Sequence, residues 1–78
     1  MTDLIEVESS VMHKIVKEDY WHDGKLIKVK YFIKTKDRSY KDFDFWKWVK
    51  QELPDGSTRR LSFSNLSDAE HYISLNLY

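Results

Sequence analysis

The chain has 78 residues, of which 41% are hydrophobic and 33% charged, a composition typical of one small globular domain. Because it contains no cysteine, disulfides and cysteine-based metal sites are excluded, and no apolar run approaches the ~20 residues of a membrane-spanning helix. We therefore expect one domain over residues 1–78. The acidic start of the sequence is unlike an export signal, so the cytoplasm is its expected location.

The formal net charge is zero, but the charges are unevenly distributed along the chain. Residues 25–50 carry nine basic and three acidic side chains and thus a net positive charge. The remaining residues carry a net negative charge of equal size. Such asymmetry can orient a partner at long range. Zero net charge, in contrast, disfavours sequence-independent binding of nucleic acid as the main task.

Residues 1–10 fit more than one local structure. Asp3 and Glu6 have the spacing of a helix capping box, whereas Ile5 and Val7 alternate with acidic residues as in a strand. A short helix, a strand and a flexible arm are therefore all compatible with this segment.

The next segment predicts a β-hairpin. Val11–Trp21 is rich in β-branched and aromatic residues, and Asp23-Gly24 follows it. An Asp-Gly pair favours a type I′ turn, because both central residues of that turn need positive φ. A two-residue loop predicts the pairs Tyr20–Ile27, Glu18–Val29 and Val16–Tyr31 on one face, and Asp19–Lys28 and Ile15–Phe32 on the other.

The second strand of this hairpin, Lys25–Lys36, has the sequence KLIKVKYFIKTK. Its side chains alternate with a period of two over ten residues, which predicts a half-buried strand at the centre of an antiparallel sheet. The predicted core face carries Ile27, Val29, Tyr31 and Ile33. The opposite face carries lysines and Phe32.

A three-residue turn over residues 37–39 is expected to lead into a third strand that ends near Glu52. This register pairs Ile33 with Phe43 and Tyr31 with Phe45, whereas a shift by one residue would bury carboxylates on the core face. The same register places Lys34, Lys30 and Lys28 opposite Asp42, Trp46 and Trp48. A helix over residues 42–52 is the alternative, with an apolar stripe formed by Phe43, Trp46, Val49 and Leu53.

Leu53-Pro54-Asp55-Gly56-Ser57 predicts a second hairpin turn, because Pro presets φ and Gly supplies a left-handed residue. It leads into a fourth strand, Thr58–Phe63, with the pairs Val49–Leu61, Lys47–Phe63, Trp48–Ser62 and Lys50–Arg60.

The chain is predicted to end in a helix that starts at an S-x-x-E capping box, Ser67 to Glu70. The helix should run over residues 68–77, with an apolar stripe of Leu66, Ala69, Tyr72, Ile73 and Leu77. The sequence thus predicts an α+β fold, a four-stranded antiparallel β-meander with a C-terminal α-helix packed on one face.

Motifs for chemistry are lacking. His13, His22 and His71 do not have metal-ligand spacing, and there is no nucleophile elbow or glycine-rich phosphate loop. Asp42 and Asp44 alternate on one strand face and have the chemistry to bind a cation or to act as an acid/base pair, but pairing with Lys34 and its neighbours across the sheet is the favoured interpretation. We therefore expect no enzymatic activity, no metal and no cofactor.

The sheet face away from the core is the candidate site. It is predicted to carry Lys28, Lys30, Phe32, Lys34, Trp46, Trp48, Lys50 and Arg60. Trp and Arg are typical anchors of protein interfaces, with Trp46 and Trp48 expected to contribute little to stability and the lysines to attract an acidic partner. Aromatic rings among cations also suit single-stranded nucleic acid, and cation–π pairing without any partner explains the same pattern.

We expect a small non-enzymatic protein-binding module, an inhibitor or adaptor that occupies the surface of a larger protein. Phage-encoded antagonists of host machinery provide the analogy, which rests on size alone. The alternatives are a domain that binds single-stranded nucleic acid and a homodimer that buries the tryptophan face between its subunits.

Overall fold

The structure, a computed structural model, describes residues 2–10, 12–36 and 46–76. The elements in chain order are β1 (Thr2–Ser9), β2 (His13–His22), β3 (Lys25–Lys36), β4 (Trp46–Trp48), β5 (Lys50–Glu52), β6 (Thr58–Arg60), β7 (Ser62–Phe63) and α1 (Leu66–Asn76). Strands β1 to β4 are neighbours in that order in one antiparallel sheet, and α1 packs on one of its faces. The predicted α+β fold with a four-stranded antiparallel meander and a C-terminal helix is confirmed.

The first hairpin turn has the predicted geometry, because Asp23 and Gly24 both have positive φ, 51° and 74°. Directly after this turn, β3 contains a β-bulge at Ile27. Trp21 pairs with Leu26 but Tyr20 pairs with Lys28, which leaves no partner on β2 for the intervening Ile27. Ile27, predicted to lie in the core, is 61% exposed.

The bulge moves the pairing of β2 and β3 by one residue, so every predicted pair between residues 15–20 and β3 is wrong. Ile15 pairs with Ile33, and Val16 pairs with Phe32. The other corrected pairs are Glu18–Lys30, Asp19–Val29 and Tyr20–Lys28. One face of β2 therefore contributes Ile15 to the main core, and its other face contributes Val16 to the opposite side of the sheet.

The second edge of β3 is covered by two short strands arranged end to end. β4 pairs with Lys34–Lys36 and β7 pairs with Tyr31 and Phe32. Between them, the amide of Val49 donates to the carbonyl of Ile33 over 2.8 Å. The chain thus leaves the sheet edge after β4, forms the β5–β6 hairpin and returns to the same edge as β7.

This arrangement corrects the predicted register of the third strand. Trp46 lies opposite Lys36 and Trp48 opposite Lys34, rather than opposite Lys30 and Lys28. Ser62 and Phe63 pair with Phe32 and Tyr31 rather than with Trp48 and Lys47. The predicted turn at residues 37–39 and the predicted pairs of Asp42, Phe43 and Phe45 lie outside the described residues.

The second hairpin turn is confirmed in detail. The amide of Gly56 donates to the carbonyl of Leu53 over 3.0 Å, and the amide of Leu53 donates to the carbonyl of Ser57 over 2.8 Å. Gly56 has a φ of 87°, which only glycine adopts without strain. The predicted pairing of Lys50 with Arg60 is also found.

The helix begins at Leu66, two residues earlier than the capping box predicted. Its N-cap is Asn65, whose Oδ1 accepts the amide of Asp68 over 2.9 Å, while Asn65 Nδ2 donates to Asp68 Oδ2 over 3.0 Å. Ser67 is the second residue of α1, and its hydroxyl donates to Asn65 Oδ1. The prediction that Ser67 is the N-cap is therefore wrong, because Asn65 occupies that position.

The main core lies between α1 and the sheet. Ile15, Ile33, Ala69 and Ile73 are its buried members, and Ile33 is completely inaccessible to solvent. Partly buried residues surround this cluster: Tyr31, Val49, Phe63, Leu66 and Tyr72. The predicted apolar stripe of the helix is thus confirmed as far as Ile73, and Leu77 lies outside the described residues.

Candidate partner-binding surface

The candidate surface is the sheet face opposite α1, which we call the open face. Strand pairing assigns to it the alternate residues of β2 and β3 that pair with one another, together with their neighbours on β4 and β7. The described side chains of the open face include Lys14, Val16, Glu18, Tyr20, Lys28, Lys30, Phe32, Lys34, Trp46, Trp48 and Ser62, and Arg60 of β6 lies over them.

Phe32 is the buried centre of the open face. Only 4% of this residue is exposed, although the sequence predicted an exposed ring. The ring of Trp48 meets it edge-on, with centroids 5.8 Å apart, and the guanidinium carbon of Arg60 lies 4.2 Å from its centroid. The physical reason is the β5–β6 hairpin, whose Arg60 covers the ring.

Arg60 joins three groups of the open face. Besides Phe32, its guanidinium carbon lies 4.9 Å from the ring of Trp48, and its Nη2 lies 3.5 Å from Oε2 of Glu18. Glu18 is buried, so this ion pair supplies the positive charge that a buried carboxylate needs. The planar guanidinium suits this position because it stacks on rings and pairs with a carboxylate at the same time.

Lysines cover the two tryptophan rings. Lys34 Nζ lies 4.4 Å from the ring of Trp48, its partner on β4, and Lys14 Nζ lies 4.5 Å from the ring of Trp46. Lys14 also forms an ion pair with Glu6, with 3.7 Å between Nζ and Oε2. Each such cation–π contact contributes about 0.5–1 kcal/mol at an exposed site.

A second group of cations surrounds Tyr20 at the other end of the open face. Lys28 Nζ lies 4.6 Å and Lys30 Nζ 5.7 Å from the centroid of this ring. Partial burial raises the pKa of Tyr20. The hydrogen bond with Glu18 and the negative charge of Glu18 raise it further, while the positive charge of Arg60 lowers it. The phenol is therefore neutral at physiological pH.

The structure brings most of the predicted site residues into two groups. Phe32, Lys34, Trp48 and Arg60 form one cluster, and Lys28 and Lys30 lie around Tyr20. Trp46 contacts Lys14 instead. Lys50 is exposed on the β5–β6 hairpin, where it pairs with Arg60.

Sequence reasoning missed Lys14, Glu18 and Tyr20, because the predicted register placed the even-numbered residues of β2 on the core face. The contact of Glu18 with Arg60 joins strands that are distant in sequence. The bulge at Ile27 places these residues on the open face, and the sequence of β2 alone does not distinguish the two registers.

The other side of the sheet carries an open cleft of about 490 Å³ between β1 and α1. It is lined by Glu8, Ser9, Ser10, His13, Ile15, Glu70, Ile73 and Ser74. Desolvation of its carboxyl group in the cleft raises the pKa of Glu8, as do the charge of Glu70 and a hydrogen bond between the two carboxyl groups. Among residues 2–10, 12–36 and 46–76, no group of three His, Asp or Glu side chains is placed to hold a metal ion.

Comparison with known proteins gives no relative: no family model, no curated protein and no solved structure matches the chain. Within the described part of the chain, no helix is long and apolar enough to cross a membrane. A functional hypothesis for this protein therefore depends on the chemistry of its surface.

Proposed function

We propose that this chain is a small non-enzymatic protein-binding module whose open face binds an acidic surface of a partner protein. In the described part of the open face, basic side chains outnumber carboxylates. The basic residues are Lys14, Lys28, Lys30, Lys34, Lys36 and Arg60, and the acidic ones are Glu18 and, on β1, Glu6. Glu18 is buried and paired with Arg60, so it offsets little of the charge presented to a partner.

The observation that carries this proposal is the position of the cations over the rings. Single-stranded nucleic acid binds by stacking its bases on open ring faces. The rings of Trp46, Trp48 and Tyr20 each have an ammonium group over them at 4.4–4.6 Å, so a base would have to displace a lysine. A carboxylate needs no such displacement, because the outer side of each ammonium group still has hydrogens to donate.

A homodimer through the open face is disfavoured by charge. Two copies joined face to face would bring their lysines together, and like-charge contacts across an interface cost several kcal/mol. A partner with the opposite charge avoids this cost. The same complementarity would accelerate association, because charged patches of opposite sign attract over distances comparable with the Debye length.

An inhibitor or adaptor is the role that best fits such a module. The open face is a shallow sheet surface, and the cleft on it, formed by Tyr20, Lys30, Phe32, Arg59, Arg60 and Ser62, is open to solvent. A small domain with a shallow charged face acts most simply by covering a surface of a larger protein. The analogy with phage-encoded antagonists of host machinery remains one of size.

The experiment compares capture of proteins by the immobilised chain with capture by two charge-reversal variants. Lys28→Glu changes the open face, whereas Lys25→Glu changes an exposed lysine beside the hairpin turn and serves as the matched control. A captured protein is then purified and its affinity measured directly. We expect Lys28→Glu to weaken binding about tenfold at low salt and Lys25→Glu to leave it nearly unchanged.

The same three proteins and a Trp48→Ala variant are tested with a short fluorescent single-stranded oligonucleotide. Tight binding of the oligonucleotide that is lost in Trp48→Ala would identify a nucleic-acid-binding face instead. Equal capture of the protein partner by Lys28→Glu and the parent chain would show that the open face is not the interface.

A further inference from the structure

The outer edge of β1 is a second surface with the features of a binding site. β1 is the end strand of the sheet, and within the described residues it pairs only with β2. All eight of its residues are exposed, including Leu4 at 60% and Ile5 at 44%. Edge strands are usually protected from pairing by charged side chains, proline, a β-bulge or short length. β1 is long for an edge and has no lysine or proline, so its protection consists of three acidic side chains and one bulge.

A β-bulge at Val7 decides which side chains of β1 share a face. Asp3, Ile5 and Glu8 pair with Asp19, Lys17 and Ile15, which are alternate residues on one face of β2. The three β1 side chains therefore lie on the face that carries α1, in the order acidic, apolar, acidic. The partners of the two acids, Asp19 and Ile15, are four residues apart, so the acids are separated by about 13 Å along the strand.

Each of these acids borders a cleft. Asp3 borders one of about 450 Å³ that is also lined by Trp21, His22, Asp23 and Gly24. Glu8 borders the cleft of about 490 Å³ that also contains Glu70. Among the described residues, neither cleft is lined by lysine or arginine, and each presents carboxylates.

We propose that the outer edge of β1 binds an extended segment of a partner, which adds to the sheet as a further strand. Addition of a strand satisfies exposed backbone groups of the edge, and side chains of the segment give specificity. The pattern of Asp3, Ile5 and Glu8 selects a segment with basic residues four positions apart and an apolar residue midway between them. The segment's apolar residue contacts Ile5, and its two basic residues lie beside the acids.

A second copy of this chain is a poor occupant of the same edge. β1 carries Asp3, Glu6 and Glu8 and no basic residue, so two paired copies of β1 would place carboxylates side by side. The occupant must therefore differ from β1 in charge. This edge is also separate from the open face, whose cations select acidic partners, so one chain can engage two partners of opposite charge.

The test uses synthetic peptides with blocked termini and the full chain. The probe has the core Lys-Thr-Val-Thr-Lys flanked by threonines. One control peptide has the same composition with its two lysines adjacent, and another has proline on both sides of the valine, which prevents strand pairing. Affinity is measured by fluorescence anisotropy, and the exchange of backbone amides is followed by NMR.

We expect the spaced-lysine peptide to bind about tenfold more tightly than either control peptide and to slow amide exchange in residues 2–6. Ile5→Lys should lower its affinity about tenfold, because it introduces a like charge and removes the apolar contact. Leu75→Lys, at a residue of α1 that is 68% exposed, is the matched control and should have no effect. Lys28→Glu on the open face should not weaken peptide binding, which separates this edge from the proposed partner face.

Equal affinity for the spaced and adjacent lysines would overturn the proposed strand addition, since it would indicate attraction by charge alone. Slowed exchange confined to β3 or β4 would place the peptide on another surface. Light scattering that gives a dimer for the parent chain and a monomer for Ile5→Lys would identify a second copy as the occupant of the edge.

Discussion

The guanidinium of Arg60 covers the ring of Phe32, with 4.2 Å between its carbon and the ring centroid. The two residues come from different parts of the fold, since Phe32 lies at the centre of β3 and Arg60 on the inserted hairpin. Their contact closes a second small apolar cluster, on the side of the sheet that the helix leaves uncovered. Buried Val16 belongs to the same side as Phe32.

Arg60→Ala should destabilise the fold by about 1–3 kcal/mol, because it uncovers Phe32 and leaves the buried carboxylate of Glu18 without its cation. Arg60→Lys should restore part of the loss, since lysine supplies charge but not a planar group that stacks on the ring. Chemical denaturation of the two variants measures the difference.

A double-mutant cycle with Glu18→Gln isolates the ion pair from the stacking. We expect a coupling energy below about 1 kcal/mol, because Arg60 is partly exposed and water screens its charge. Additive effects of the two substitutions would show that Arg60 acts through its contacts with the rings alone.

Trp48→Ala should cost about 2–3 kcal/mol of stability, in contrast to the small loss expected from the sequence. The ring is half-buried and contacts Phe32, Lys34 and Arg60, so its removal leaves an incompletely filled site. Thermal and denaturant unfolding measure this loss, with Leu75→Ala as an exposed control. A melting temperature equal to that of Leu75→Ala would mean that the ring serves the partner surface only.

The predictable part of the fold depended on strong local signals. Alternation over ten residues located β3, and the glycines of the two turns located both hairpins. These signals succeed because a half-buried strand and a left-handed turn residue each restrict the local sequence severely. The composition of the open face followed from the same alternation, apart from the residues that β2 contributes.

The pairing of β2 was not predictable because either of its faces suits the core. Ile15 and Asp19 lie on one face, and Val16 and Glu18 lie on the other, so each face has one apolar and one acidic residue. The cost of burying a carboxylate therefore does not distinguish the two registers. The bulge at Ile27 and the return of β7 to the edge of β3 depend on contacts between distant segments.

Asn65→Ala should destabilise the chain by about 1 kcal/mol, because it removes the side chain that accepts the amide of Asp68 at the start of α1. Ser67→Ala should cost much less, since its hydroxyl only donates to Asn65. Denaturation of both variants under the same conditions compares the two positions. A larger loss in Ser67→Ala than in Asn65→Ala would contradict the observed cap.

Gly56→Val should destabilise the β5–β6 hairpin by at least about 1 kcal/mol. No atom lies within 4 Å of an added Cβ, so the expected cost comes from the φ of 87°, which a β-branched residue adopts only with strain. Gly56→Asn should cost less, because asparagine tolerates positive φ better. Since Arg60 belongs to this hairpin, the indole fluorescence of Trp48 should also change more in Gly56→Val than in Gly56→Asn.

Glu8→Gln should stabilise the chain at neutral pH. The pKa of Glu8 is raised in the folded state, first by desolvation of its carboxyl group in the cleft and then by the charge of Glu70 and the hydrogen bond with it. The folded state therefore favours the protonated carboxyl and is penalised where Glu8 is ionised. That penalty is present above the folded pKa, decreases as the pH falls through it and is absent below the ordinary value of 4.5.

The stability gained in Glu8→Gln should follow the same pH dependence and disappear in acid. His13 lines the same cleft and Glu6 of β1 is paired with Lys14, so each variant is compared with the parent chain at the same pH. Glu52→Gln, on the exposed β5 strand, is the matched control. A loss of stability in Glu8→Gln at neutral pH would show that the ionised carboxylate is favoured in the fold, and the contact with Glu70 would then have the opposite sign.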